Sequence, residues 1–125
     1  MQHYFRATLA AVSLALSAAA VAHHSPAVFD RSQQVTLNGV VAEFRWGNPH
    51  SWIHLDVPSD EGAAERWSVE MDPASHLARR GWRSTTVKPG DRVSVLVYPL
   101  RNDEKGGQYI AITLPDGRVL DERER

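Results

Sequence analysis

The order of the secondary-structure patterns is the feature that most restricts how this chain can fold. Alternating apolar and polar residues predict five strands. Between the third and fourth, Asp72 as N-cap, Pro73 at the first helical position and Gly81 as a left-handed stop predict one short helix. A helix at this position is typical of a five-stranded OB-like barrel, whereas an SH3-like barrel, the nearest alternative, lacks it. We therefore predict an all-β fold with one short helix. The predicted strands are Gln33–Trp46, Ser51–Val57, Arg66–Met71, Arg92–Tyr98 and Gln108–Leu114.

The strand patterns also predict which side chains fill the barrel. In the second strand, Ile53 and Leu55 share one face and the polar residues share the other. In the first strand the apolar residues change face at Gly39, which predicts a bulge or a sharp coil there and places Val40 and Phe44 inside. The predicted interior also contains Val93, Val95, Val97, Ile110 and Ile112.

The N-terminal residues have the pattern of a secretory signal peptide. A positive charge at Arg6 precedes an uncharged stretch of about fifteen residues, which is shorter than the roughly twenty that a membrane span needs. Ala20 and Ala22 are the small residues that signal peptidase requires, so we predict cleavage after Ala22, a periplasmic or secreted protein, and no membrane span after cleavage. The predicted divisions are a signal peptide (1–22), an extended segment (23–33), the OB-like barrel (34–120) and a charged tail (121–125).

Composition excludes several functional classes. The chain has 14 Lys and Arg against 15 Asp and Glu, without the basic excess that nucleic-acid-binding proteins usually carry. It has no Cys, which excludes disulfides, zinc–cysteine sites and covalently attached haem. No nucleophile-and-base motif is present in the sequence. These features favour a non-enzymatic protein that does not bind nucleic acid. We further expect a monomer that binds an envelope protein or a small ligand.

The predicted mature N-terminus is a candidate copper site. Cleavage after Ala22 would leave His23 and His24 beside a free α-amine, and imidazole suits Cu(II). Two geometries remain open: a histidine brace formed by the amine and the ring of His23, or a square plane using the amine, the His24 amide and the His24 ring. We predict His23, His24 and His50 as metal ligands and copper as the candidate cofactor.

A second candidate site lies around the second predicted strand. Trp52, His54 and Asp56 share the face that points away from the core, and Glu70 on the next strand can share it. His50 and His54 are about 13 Å apart if the strand is regular, too far to share one metal ion. The alternative is that Asn48 and His50 cap a tight turn while the tryptophans pack. The predicted ligand-binding residues are Trp46, Asn48, Trp52, His54 and Glu70.

The motifs together resemble those of a family of small exported bacterial proteins classed as a domain of unknown function. The resemblance covers nearly the whole predicted mature chain and implies an envelope protein with an OB-like fold. It implies no activity. The matching motifs are Ala22-His23-His24-Ser25, Gly39-Val40-Val41, Trp46 with Asn48-Pro49-His50, Trp67, Gly81-Trp82 and Lys88-Pro89-Gly90-Asp91.

These observations lead to three functional hypotheses. The first is a periplasmic binding module that holds copper through its His-rich mature N-terminus. The second is a metal-independent interaction module that presents a surface from Trp46 to Trp52 to an envelope partner or small ligand. The third is a redox enzyme built on a copper histidine brace. Copper binding separates the first hypothesis from the second, and redox turnover separates the third from both.

Overall fold

The computed structural model describes residues 26–123, which form six strands and one α-helix after a short 3₁₀ turn at Pro26–Val28. The elements follow the order that the sequence predicts, with one additional short strand at the C-terminal end. They are β1 (Val35–Arg45), β2 (Ser51–Val57), β3 (Glu65–Met71), α1 (Ala74–Arg79), β4 (Arg92–Pro99), β5 (Gly106–Thr113) and β6 (Val119–Asp121).

Five of the strands close into a barrel. β1 pairs antiparallel with both β2 and β4, β2 pairs with β3, and β4 pairs with β5. A parallel pairing between β3 and β5 joins the two ends of this sheet. The short β6 pairs antiparallel with the C-terminal part of β5. With α1 between β3 and β4, this is the predicted OB-like topology, and the predicted fold class is confirmed.

The bulge in β1 lies three residues later than the sequence predicts. The register with β2 shifts between Val41 and Glu43, so Val41 is buried in the core while Val40 is only half-buried. The face change then brings Phe44 against the core. The prediction of a bulge at Gly39 was wrong because this glycine serves a different purpose. A Cβ added there would lie 2.7 Å from a backbone oxygen of β2, so Gly39 allows the close approach of that strand.

A second bulge changes which residues of β5 face the interior. Leu96 pairs with Ala111, but its neighbour Val97 pairs with Tyr109, which leaves Ile110 as the extra residue. Tyr109 therefore joins the core cluster. Ile110 is also buried, but it lies outside that cluster and lines a surface cavity. Ile110 is thus buried as predicted, but it lies outside the cluster of residues that fills the barrel.

The helix contributes Leu77 to the core and lacks the predicted N-cap. Asp72 was predicted as the N-cap, but α1 begins at Ala74 with no side-chain cap. The Asp72 carboxylate instead accepts a hydrogen bond from Arg80 (2.9 Å). Gly81 has a φ of 91°, so it ends the helix in the left-handed region as predicted. The core cluster contains Leu37, Val41, Ile53, Leu55, Val69, Met71, Leu77, Trp82, Val87, Val93, Val95, Val97, Tyr109, Ile112 and Leu114.

The C-terminal boundary of the barrel also differs from the sequence-based division. Asp121, placed at the start of the charged tail, is the last residue of β6. The backbone N–H of Glu122 donates to the Ile110 carbonyl (2.9 Å). Burial raises the pKa of the Glu122 carboxyl, and its hydrogen bond from Arg80 opposes that shift. Residues up to at least Glu122 are therefore part of the packed structure.

Replacing Gly107 by alanine is expected to destabilise the protein by about 1–3 kcal/mol. A Cβ at this position would lie 2.8 Å from the Tyr98 carbonyl oxygen and equally close to a Val97 methyl group, and the backbone atom cannot move without disturbing β4. Gly47 is the matched control, because no heavy atom lies within 4 Å of an added Cβ there. Chemical denaturation of both variants tests this, and equal losses would contradict the close β4–β5 approach.

Candidate functional site

A row of four side chains crosses the outer face of the barrel. Trp52 on β2 pairs with Glu70 on β3, Glu70 pairs with Gln108 on β5, and Gln108 pairs with Tyr98 on β4. Their sequence neighbours Ile53, Val69, Tyr109 and Val97 fill the core, so the row points outward. The sequence predicted that Trp52 and Glu70 share a face, and the structure places them directly opposite each other.

Two surface cavities meet at Glu70. The first, which we call the His50 cavity, has a volume of about 280 Å³. The second, which we call the Trp52 cavity, has a volume of about 340 Å³ and lies next to the loop between β4 and β5. The His50 cavity is lined by His50, Glu70, Tyr98, Gln108, Arg31 and Glu122 among others. The Trp52 cavity is lined by Val28, Phe29, Trp52, Ser68, Glu70 and Glu104 among others.

The carboxylate of Glu70 is unusually enclosed for a surface strand. Only 10% of its side chain is exposed, and its Oε1 atom lies 3.3 Å from Nδ1 of His50. Within residues 26–123, His50 is the one basic side chain within 4 Å of this carboxylate. A carboxylate removed from water to this extent is stabilised by a positive partner. Glu70 therefore makes the shared boundary of the two cavities a place where a cation is favoured.

The hydrogen bonding of His50 determines which ring nitrogen is available. Its Nδ1 lies 3.1 Å from the Met71 carbonyl oxygen, which can only accept a hydrogen bond. Nδ1 must therefore carry the proton, and in the neutral ring Nε2 carries the lone pair. A backbone carbonyl that fixes the tautomer in this way is typical of metal-ligating histidines. The ring is also 43% exposed, so a ligand can reach it.

His54 is held in a different environment on the same face. Its Nδ1 lies 3.0 Å from Oγ of Ser68, its cross-strand partner. Its ring stacks on Trp52, with centroids 6.4 Å apart and an angle of 5° between the planes. Across residues 26–123 there is no group of three His, Asp or Glu side chains close enough to hold a metal ion.

The predicted continuous surface from Trp46 to Trp52 is divided in the structure. Trp46 is half-buried, packs against the core and makes an edge contact with Phe44 (centroids 5.9 Å apart). Asn48 is exposed in the turn before β2, joined to Pro49 by a cis peptide bond. Neither Trp46 nor Asn48 lines the two cavities. Trp46 follows Phe44 by two residues and therefore packs on the same, core-facing side.

The first described residues run along the wall of the Trp52 cavity. Phe29 forms an antiparallel bridge with Leu100, next to the end of β4. The backbone N–H of Arg101 donates to the Val28 carbonyl, and the Arg101 side chain donates to the Ala27 carbonyl (both 3.0 Å). This segment is therefore fixed against the barrel. The predicted metal ligands His23 and His24 lie outside the described residues.

Comparison of the sequence with known protein families identifies the family of this chain. A profile described as a family of unknown function (DUF6152) matches residues 11–109. The chain belongs to DUF6152. This agrees with the resemblance to a domain of unknown function noted in the sequence, and the matched region covers β1 to β4 and the first part of β5. No curated protein sequence is significantly similar to this DUF6152 member.

A solved structure supports the OB-like fold of this DUF6152 chain. The chain is similar to a crystal structure of the mitochondrial single-stranded DNA binding protein Rim1 from S. cerevisiae, with 13% sequence identity and a TM-score of 0.50. The similarity covers 66% of this chain and 92% of that chain. At this identity the likeness concerns the fold alone. In the part of the chain described, no helix has the length and apolar character of a membrane span.

Proposed function

We propose that this DUF6152 protein is an exported binding module that holds Cu(II) at the outer face of its barrel. The ligands are the α-amine and imidazoles of a processed N-terminus beginning at His23 and His24, together with His50. The signal-peptide pattern supports export to the periplasm or the medium, because small residues at Ala20 and Ala22 precede the histidine pair.

The observation that carries this proposal is the environment of Glu70. Its carboxylate is nine-tenths buried, lines two cavities and has the His50 imidazole as its one basic neighbour within the described chain. A divalent cation bound at Nε2 would lie on the far side of the ring from Glu70, and the carboxylate would stabilise the positive charge that the metal places on the imidazole. Through its 3.3 Å approach to Nδ1 of His50, the same carboxylate also makes Nε2 a better donor to a metal.

Coordination chemistry explains why the barrel and the N-terminus are both needed. One imidazole does not fill the coordination sphere of Cu(II), which prefers four ligands in a plane. Val28 and Phe29, among the first described residues, line the Trp52 cavity, which shares Glu70 with the His50 cavity. His23 and His24 are therefore near enough in sequence to supply the remaining nitrogen ligands.

Mass spectrometry of the exported protein followed by copper calorimetry tests the proposal. We expect a chain that starts at His23 and binds Cu(II) more tightly than about 10 µM, roughly −7 kcal/mol. The double variant His23→Ala, His24→Ala should lose this binding, and His50→Ala should weaken it about tenfold or more.

His76→Ala is the matched control, because His76 is exposed on α1 and lines neither cavity. Its affinity for Cu(II) should equal that of the unmodified chain. A mature chain that starts elsewhere, or equal binding by the processed protein and the double variant, would contradict the proposal.

The second candidate function is metal-independent binding on the same face. Trp52 lines a cavity between β2, β3 and the β4–β5 loop, which is where OB-like barrels commonly hold their ligands. An envelope partner or small ligand bound there would contact Trp52 and Ser68 without a metal. Absence of Cu(II) binding by the correctly processed chain would favour this candidate over the first.

A further inference from the structure

We infer that, in the metal-free processed protein, residues 23–25 dock into the Trp52 cavity and the α-ammonium of His23 pairs with Glu70. The inference rests on the processing step of the proposed function but not on copper binding. It assigns an occupant to the cavity and a partner to the enclosed carboxylate.

The position of the first described residues brings this segment to the cavity. Val28 and Phe29 form part of the cavity wall, and Arg101 holds the carbonyl groups of Ala27 and Val28 in place. Only three residues separate the predicted new terminus from Pro26, and they span at most about 10 Å when extended. The α-amine can therefore lie no more than about 10 Å from Pro26, which is two residues before Val28 in the cavity wall.

Charge complementarity selects Glu70 as the partner. The segment from His23 to Ser25 has an α-ammonium group and two imidazoles but no acidic side chain. The enclosed Glu70 carboxylate has no Lys or Arg partner among residues 26–123. An ammonium group would supply the missing positive charge and donate hydrogen bonds to the carboxylate.

The aromatic wall adds a second favourable contact. Trp52 lines the cavity directly beside Glu70, since the two are cross-strand partners. A cation next to an indole ring is stabilised by the ring's electron density, and an imidazole can pack on it as His54 already does. The docked segment would therefore contact both a carboxylate and an aromatic surface.

Docking of this kind would make the site depend on signal cleavage. Before cleavage, the nitrogen of His23 is part of a peptide bond with Ala22 and carries no charge. After cleavage it becomes an ammonium group that can pair with Glu70. Cu(II) would then replace the protons of this group and of the imidazoles, so a positive charge would face Glu70 both with and without metal.

Amine labelling of the metal-free processed protein tests the inference. With chelator present, an N-hydroxysuccinimide ester should modify the His23 α-amine about fivefold more slowly in the unmodified chain than in Glu70→Gln, the ratio expected for an ion pair of roughly 1 kcal/mol. Glu104→Gln is the matched control, because Glu104 lines the same cavity but is exposed. In the Glu104→Gln variant, the His23 α-amine should be labelled as slowly as in the unmodified chain.

A second measurement uses the unmodified chain alone and so does not depend on how any variant folds. We expect nuclear Overhauser contacts between the imidazole protons of His23 or His24 and the indole protons of Trp52 without metal. Equal labelling rates in all three proteins, or absence of these contacts, would overturn the inference. Docking without Cu(II) binding would reject the copper proposal alone, and Cu(II) binding without docking would reject this inference alone.

Discussion

Replacing Trp82 by alanine is expected to lower the free energy of unfolding by about 3–5 kcal/mol. Trp82 is 1% exposed and is the largest of the fully buried side chains within residues 26–123. Its ring lies 5.8 Å from that of Phe44 and 5.6 Å from that of Tyr109, the latter in an edge contact at 86°. Its loss would leave a cavity between β1, β5 and the end of α1 that these rings cannot fill.

The position of Trp82 explains why a large part of the fold depends on it. It follows Gly81 directly, so the left-handed turn that ends α1 also directs the indole into the barrel. Chemical denaturation measures the loss. Val119→Ala is the control, because Val119 is 57% exposed on β6 and its truncation should change stability by no more than about 0.5 kcal/mol. Similar losses in the two variants would show that Trp82 does not organise the core.

Strand positions could be predicted from the sequence where the alternation is regular. β2 begins and ends where predicted, and Ile53 and Leu55 are fully buried, because each strand residue alternates faces without interruption. The predictions failed at the bulges. Hydrogen bonding with a neighbouring strand decides whether Val40 or Val41 faces the core. It makes the same choice between Tyr109 and Ile110. Such pairing is not encoded in the local pattern of one segment.

The residues of the candidate site were likewise predictable only where the pattern of a single strand placed them. Trp52 and Glu70 could be placed on one face because each lies on the polar side of its own strand. Gln108 and Tyr98 were missed, since their alignment with Glu70 requires the parallel contact between β3 and β5 that closes the barrel. The bond from His50 to the Met71 carbonyl also depends on pairing across strands.

Copper affinity is expected to fall steeply as the pH drops below neutrality. The proposed ligands bind Cu(II) only when deprotonated, and protons compete with the metal for each nitrogen. An unperturbed α-amine has a pKa of about 8 and an imidazole a pKa of about 6.5, so both become protonated as the pH falls toward 6. For each ligand nitrogen that titrates in this range, lowering the pH by one unit can raise the Kd for Cu(II) by up to about tenfold. Calorimetry at pH 8, 7 and 6 measures the change, and a constant affinity would contradict ligation by the amine.

Adding one glycine before His23 is expected to distinguish the two copper geometries. In a histidine brace the amine and the ring belong to the same residue, so the extension separates them and should weaken binding by about a hundredfold or more, roughly 3 kcal/mol. In the amide chelate, the extension moves His24 from the second position to the third, where the amine, two amides and the ring still form a square plane around Cu(II). Calorimetry of the extended and unextended chains therefore separates the models of ligation. Lost binding supports the brace, whereas retained or tighter binding supports the amide chelate, because only that arrangement tolerates a longer path between the amine and the imidazole.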